Sequence, residues 1–365
     1  MPNSERTLHA LHGSATVQPL GAMVAPVVFR RPGHRDFAPL QVAPWADEPG
    51  WQHLDGGLAR LRGEWPCVPF GRIDRPAGLP AAWTHRDPGD RWAHGFAMHH
   101  EWSWIDAGPH DAAGKLDDCL RRSPRELSLA IDLPADSPVA RLERRVRWLD
   151  DGAALVLESI LHPRHDVECP AALHPTIRLD AGELRLRMPP HGAGRTYPVP
   201  AEPGVSRLEP DAAFATLDAV PLAHGRTLDG AFADLTRYPQ PADSEELLQL
   251  TCLEGPVHAD FLDEGWTLAL DWDRNLLPDL MLWVSHGGRR HPPWNGRHRA
   301  LGLEPVAGPF DLGRVAAPPP AHPMASRRGL ELRAGVPTTL WLRFEARPLG
   351  DAAAQATRRT ASGTP

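Results

Sequence analysis

The sequence predicts an all-β protein, a single large antiparallel β-sandwich, from two observations. Apolar residues recur with period two along much of the chain, and proline is spread through all of it. The 41 prolines and 32 glycines among 365 residues work against long helices, because proline lacks the backbone N–H and clashes with the preceding turn. The best helical candidates are short, around residues 228–235 and 245–250.

The strands follow in order. From Glu126, Leu127, Leu129, Ile131 and Leu133 fall on one face. In the next run Leu142, Val146 and Trp148 alternate with Arg141, Glu143, Arg145 and Arg147. Asp150-Asp151-Gly152 then supplies turn chemistry before the apolar run 154–161, so the three runs read as consecutive antiparallel strands. The alternation recurs over residues 184–188, at Trp266, Leu268, Leu270 and Trp272, and at Leu340, Leu342 and Phe344. The continuous apolar run 280–284 fits a strand buried on both faces. No clean linker divides the chain, so residues 16–350 read as one domain. Residues 1–15 and 351–365, small, polar and poorly patterned, read as mobile ends.

Composition narrows the function classes. A formal net charge of −7 argues against sequence-independent nucleic-acid binding, which needs basic surface to neutralise phosphates. No apolar run approaches the ~20 residues that span a bilayer, and no secretory signal is visible at the N-terminus. The expectation is a cytoplasmic protein, a monomer or homodimer, with neither nucleic acid nor membrane as a partner. Cys67, Cys119, Cys169 and Cys252 form no CxxC pair and read as reduced, buried thiols. There is no Walker loop, HExxH or GxSxG elbow, and no GxGxxG opens a helix after a strand.

What remains is a scatter of polar residues in aromatic company. Trp83, Trp92, Trp102 and Trp104 surround the stretch from His94 to Glu101, and Trp294-Asn295-Gly296 precedes Gly302-Leu303-Glu304-Pro305. A tryptophan face suits the C–H face of a sugar ring, although most tryptophans are core residues. The ordered series Gly57-Leu58, Pro69-Phe70-Gly71-Arg72, His94-Gly95, Leu173-His174-Pro175 and Gly302-Leu303-Glu304-Pro305 resembles the galactose mutarotase-like (aldose 1-epimerase) family. Leu277-Pro278-Asp279-Leu280-Met281-Leu282-Trp283 resembles the family's late core strand, and the likeness extends over residues 20–346.

The resemblance implies a β supersandwich that holds a small carbohydrate in an open cleft and interconverts its anomers without a cofactor or metal. It implies His174 as the acid facing the ring oxygen and Glu304 as the base facing the anomeric hydroxyl. Arg72, His94 and, through a weak match in Asp229-Gly230-Ala231-Phe232, Asp229 would bind sugar hydroxyls. The chain departs from the family at Thr176-Ile177-Arg178-Leu179, where an aromatic run is usual, and at Glu304-Pro305-Val306, where Glu-x-Gln is usual. Opening a hemiacetal ring independently calls for such a pair: the C1 hydroxyl loses a proton while the ring oxygen gains one, each transfer being worth ~10²–10⁴ in rate. Two other readings stand beside it. One is a carbohydrate-binding protein without the chemistry. The other is a cupin-type metal-dependent sugar isomerase using His94, His99, His100 and Glu101, although adjacent His99 and His100 would face opposite sides of a strand.

Overall fold

The computed structural model describes residues 4–350 apart from 52, 55, 106–125, 150–153, 181 and 224–230. Two large antiparallel sheets dominate. The first runs in the order Ala213–Phe214, Gly194–Thr196, Ser244–Leu250, Asp279–His286, Arg299–Ala307, Ala171–Leu173 and Pro66–Cys67, with Thr176–Arg178 also paired to Arg299–Ala307. The second runs Arg237–Tyr238, Leu184–Arg187, Val257–Phe261, Trp266–Trp272, Thr338–Pro348, Ala154–Pro163, Val139–Trp148, Glu126–Asp132 and Ser103–Trp104. Between them lies the main core: Leu127, Leu142, Val146 and Leu157 of the second sheet share one cluster with Leu248, Leu280, Leu282 and Leu303 of the first. The only other regular elements among the described residues are short ladders and two 3₁₀ turns, Gly56–Arg60 and Phe96–His99.

The period-two reading holds where the chain is cleanly alternating. Glu126–Asp132, Val139–Trp148 and Ala154–Pro163 pair consecutively, although the turn expected at Asp150-Asp151-Gly152 lies outside the described residues. Asp279–His286 is buried along its whole length, as a doubly covered strand must be.

Three expectations need correction. Residues 245–250 form the strand Ser244–Leu250, not a helix, because partners on both sides satisfy its backbone: Gly194–Thr196 and Asp279–His286. Around residues 228–235 the described part holds the short strand Phe232–Ala233, and the rest lies outside the described residues. Residues 6–15 are not a loose end. Arg6–Ala10 and Gly13–Val17 form a hairpin that continues to Val24–Phe29, held by the buried Leu8 and by the Thr7 and Thr16 hydroxyls 2.9 Å apart. The other expected end, 351–365, lies outside the described residues. Of the cysteines, Cys67 and Cys169 are buried, Cys252 is exposed, and Cys119 is outside the described residues.

One charged residue breaks the alternation. Arg144 shares the inward face of its strand with Leu142 and Val146 and is fully buried. Its guanidinium donates to the carboxylate of Glu64, also fully buried, and to Ser159 Oγ at 2.8 Å. The pair fastens the second sheet to the segment that carries Trp65. Removing one partner strands a charge in the core. Arg144→Met should therefore destabilise the fold by about 3–5 kcal/mol, and adding Glu64→Met should recover most of the loss. Denaturant unfolding of the single and double variants measures both.

Candidate active site

The first sheet has two unlike faces. Leu280, Leu282 and Leu303 point into the main core, whereas Leu247, Met281, Trp283 and Glu304 point the other way and line a cavity of about 170 Å³. Strand register sets this arrangement, since Met281 lies opposite Glu304 and Trp283 opposite both Gly302 and Leu247. His174 enters from between Ala171–Leu173 and Thr176–Arg178, with its backbone N–H bonded to Trp65 O at 3.0 Å. Trp65, Trp294, Arg289, His94 and Asp311 close the walls from loops. A larger groove of about 670 Å³, beside Trp92 and Arg314, holds none of the expected site residues.

The centre of the cavity is a carboxylate beside an imidazole. Glu304 is fully buried, and its Oε1 lies 3.2 Å from His174 Nε2. That approach is within ion-pair reach but off the line of a hydrogen bond, so neither carboxyl oxygen has a hydrogen-bond partner among the described residues. Trp65 stacks on the His174 ring, centroids 4.1 Å apart and planes 17° from parallel, and the ring edge meets Trp283 at 5.8 Å. His174 Nδ1 lies 3.3 Å from the Thr176 hydroxyl. Burial lifts the Glu304 carboxyl well above its usual range, with the Asp311 charge adding to the effect. Burial likewise pushes His174 well below its usual value, helped by His94. Both directions favour a protonated Glu304 beside a neutral His174.

Gly302 makes room for this geometry. A Cβ at 302 would sit 2.6 Å from Glu304 Oε1 and 3.1 Å from Trp283 Cβ, so the spacing Gly-x-Glu lets the carboxyl fold back toward His174. Gly95 has a similar role in the turn that presents His94. It sits at φ +90°, and a Cβ there would lie 2.4 Å from Val68 O. The His94 backbone N–H is tied to Gly71 O at 2.7 Å, and its ring meets His174 edge-on at 5.7 Å.

The expected residues are therefore brought together unevenly. His94, His174 and Glu304 line one cavity. Arg72 is not among the lining residues. Its guanidinium binds Asp74 at 2.7 Å and reaches the Tyr197 hydroxyl at 3.5 Å, while that hydroxyl donates to Asp311 Oδ1 at 2.7 Å. Arg72 thus acts on the cavity from behind its wall, through Asp311, whose carboxyl is raised by burial against the pull of Arg72, and through its charge on His94. Asp229 lies outside the described residues. The tryptophans at the cavity are Trp65, Trp283 and Trp294, whereas Trp83 and Trp102, expected near the site, are core residues. The cupin-type set does not converge: His99 Nε2 and His100 Nδ1 bond Ala93 O and Phe96 O, each at 2.8 Å.

Sequence reasoning missed the cluster opposite the pair. Glu245, fully buried, accepts from Trp283 Nε1 at 2.5 Å and Ser285 Oγ at 3.0 Å, and pairs with Arg289 at 3.0 Å. Arg289 in turn lies over the Trp294 ring at 4.6 Å and the Trp283 ring at 5.4 Å. Glu245 locks the Trp283 indole and the Arg289 fork in place, so the wall is rigid before any ligand arrives. No local pattern signals this; Glu245 reads as one of two glutamates opening a short helical candidate, and Arg289 as one of two adjacent arginines.

Two stacked antiparallel sheets with this cleft on the outer face of one define the galactose mutarotase-like fold. Solved structures with the same fold include a candidate aldose 1-epimerase from Escherichia coli K12, which is 14% identical at TM-score 0.60 and is matched over 95% of this chain and 99% of that one. A GalM/aldose epimerase homologue from C. elegans is 12% identical at TM-score 0.57, over 95% and 99% of the two chains. A galactose mutarotase-like protein from Lactobacillus casei ATCC 334 is 13% identical at TM-score 0.53, over 94% and 100%. No family model matches the sequence, and no curated protein does.

Burial gives His94 a testable pH signature. Desolvation, with the charges of His99, Arg314, Arg289 and Arg72, pushes its pKa down to about 3. Below the unfolded value of ~6.5 the unfolded chain takes up a proton that the folded chain refuses, so this residue's contribution to stability falls as pH drops from 6.5 toward 3. His94→Asn should remove up to about 1.4 kcal/mol of that acid sensitivity per pH unit, read as the difference in unfolding free energy between variant and wild type across the window.

Proposed function

We propose that the chain is an aldose 1-epimerase-like isomerase that interconverts the anomers of a small carbohydrate, with Glu304 and His174 as its acid–base pair. The observation that carries this reading is Glu304 itself: a wholly buried carboxyl with no hydrogen-bond partner on either oxygen among the described residues, 3.2 Å from an imidazole and walled by indole rings. A buried acceptor left open costs stability unless something else supplies a donor, and a sugar hydroxyl is a suitable donor. The indole faces of Trp65, Trp283 and Trp294 suit a pyranose C–H face, and about 170 Å³ suits one small ring.

The chemistry follows from one proton held between two groups. Burial favours that proton on Glu304. A C1 hydroxyl that donates to the Glu304 carboxylate favours its charged form, and the proton then sits on His174. Glu304 takes the C1 hydroxyl proton as the bond from C1 to the ring oxygen breaks, C1 becomes a carbonyl, and His174 Nε2 protonates the ring oxygen. Rotation of the carbonyl end and the reverse transfers close the ring on the other face. His94 would accept or donate to a sugar hydroxyl from the neighbouring wall. Arg72 would act indirectly, by holding Tyr197 and Asp311.

Glu304→Gln keeps the side chain's shape but cannot accept the proton. It should lower kcat for anomer exchange by ~10²–10⁴ with little change in sugar binding, and His174→Asn should behave alike. The double variant should lose no more than the worse single, since the two groups act as a unit. Magnetisation-exchange NMR over a panel of aldoses and sugar phosphates measures the rates. A wild-type protein that binds sugars without accelerating exchange would favour a carbohydrate-binding role. Gly302→Ala should cost at least tenfold in the same assay, because its Cβ takes the space of the Glu304 carboxyl.

A further inference from the structure

Thr176 lies two residues after His174, at the start of the strand Thr176–Arg178. It is 3% exposed, and its backbone is pinned on both sides, N–H to Gly63 O at 2.9 Å and carbonyl to Gln41 N at 2.9 Å. It sits opposite Gly302 in the strand pair that carries Glu304. Its hydroxyl is thereby brought within 3.3 Å of His174 Nδ1.

A threonine hydroxyl has one proton to give and lone pairs to receive. The Thr176 Oγ1 lies 3.5 Å from the carbonyl oxygen of His174, which can only accept, and 3.3 Å from His174 Nδ1; a proton turned toward the carbonyl leaves a lone pair facing Nδ1. We propose that Thr176 is a positioning residue that fixes the His174 tautomer: Nδ1 carries a hydrogen in every protonation state, and Nε2 alone exchanges a proton with Glu304 or the ligand. The relay runs Nδ1–H to Oγ1–H to the His174 carbonyl, inside the protein and away from the cavity.

The consequence is specific. When the imidazole is neutral, its bare nitrogen faces Glu304 Oε1 at 3.2 Å, so the pair holds a single mobile proton. The alternative tautomer would aim a fixed N–H at Glu304 and leave Nδ1 bare beside a hydroxyl already committed. The groups that face His174 from neighbouring elements are Glu304, His94 and Arg289 across the cavity, with Asp311 at the same wall and the Cys67 thiol close to Glu304. None of them reaches Nδ1; among the described residues the Thr176 hydroxyl is the side chain that does, beside the backbone carbonyl of His174 itself.

The tautomer does not depend on the isomerase reading, although its meaning for catalysis does. The test uses ¹⁵N-histidine-labelled full-length protein, with His174 assigned by loss of its signals in His174→Asn. Two-bond ¹H–¹⁵N spectra of wild type and Thr176→Ser should show Nδ1 protonated at neutral pH. Thr176→Val, which keeps the shape and removes the hydroxyl, should shift His174 toward the Nε2–H form. It should also move the pH–rate profile for anomer exchange and lower the rate roughly tenfold, the worth of about one neutral hydrogen bond, with Ser restoring both. Should Thr176→Val fail to fold, Thr176→Ala provides the same spectrum. Unchanged His174 signals without the hydroxyl, or a serine variant that behaves like valine, would overturn the proposal. A wild-type protein that accelerates no anomer exchange would overturn the isomerase reading, and the spectra would still decide the tautomer.

Discussion

The alignment of Asp279–His286 with Arg299–Ala307 is the constraint on which the site rests. Side chains alternate between faces along a strand, so a slip of one residue would turn Glu304 into the main core and Leu303 into the cavity. The register is defended from both sides. Leu280, Leu282, Leu301 and Leu303 commit one face to apolar packing, and burial along the whole of Asp279–His286 leaves no solvent-facing alternative. The cost of burying an unpartnered carboxyl is borne by that packing, since the sheet would otherwise relax to expose it.

Around this fixed pair the walls are built from loops held by polar groups of their own. Arg289 is stacked on two indoles and tied to a buried carboxylate, and Arg72 is tied through Tyr197 to Asp311. Both arginines have charge partners before a ligand arrives. The rest of the lining is then the neutral pair, the tryptophan side chains and the His94 ring, which is a surface better matched to hydroxyls than to a bare charge. Low sequence identity to proteins of the same fold is consistent with this division. The sheets need only apolar alternation, whereas the site needs a few side chains in fixed places.

Much of the fold was legible because period two is a local signal. Each run from Glu126 to Leu161 carries its own evidence of strand and face. The strand Ser244–Leu250 was not legible, because SEELLQL lacks clean alternation and becomes a strand only through partners on both sides. Arg144 was passed over for the same reason: its inward position is visible in the alternation, but its partner Glu64 is 80 residues away. At the site, His174, Glu304 and His94 were readable through the order of short motifs. Trp65, Glu245 and Arg289 were not, since their convergence is a tertiary fact with no spacing to betray it. Arg72 shows the opposite error: its motif was readable, but its side chain turns to Asp74 and Tyr197 instead of lining the cavity.

The Glu64–Arg144 pair has a consequence for how the protein behaves when warmed. The penalty for stripping water from ions shrinks with temperature, because the hydration of charged groups carries a strongly negative entropy. The desolvation cost of the bridge between the second sheet and the segment bearing Trp65 therefore falls on heating, while the gain from the apolar contacts around it levels off. The indole that covers His174 is thus anchored next to a charge pair whose cost to the fold declines as temperature rises.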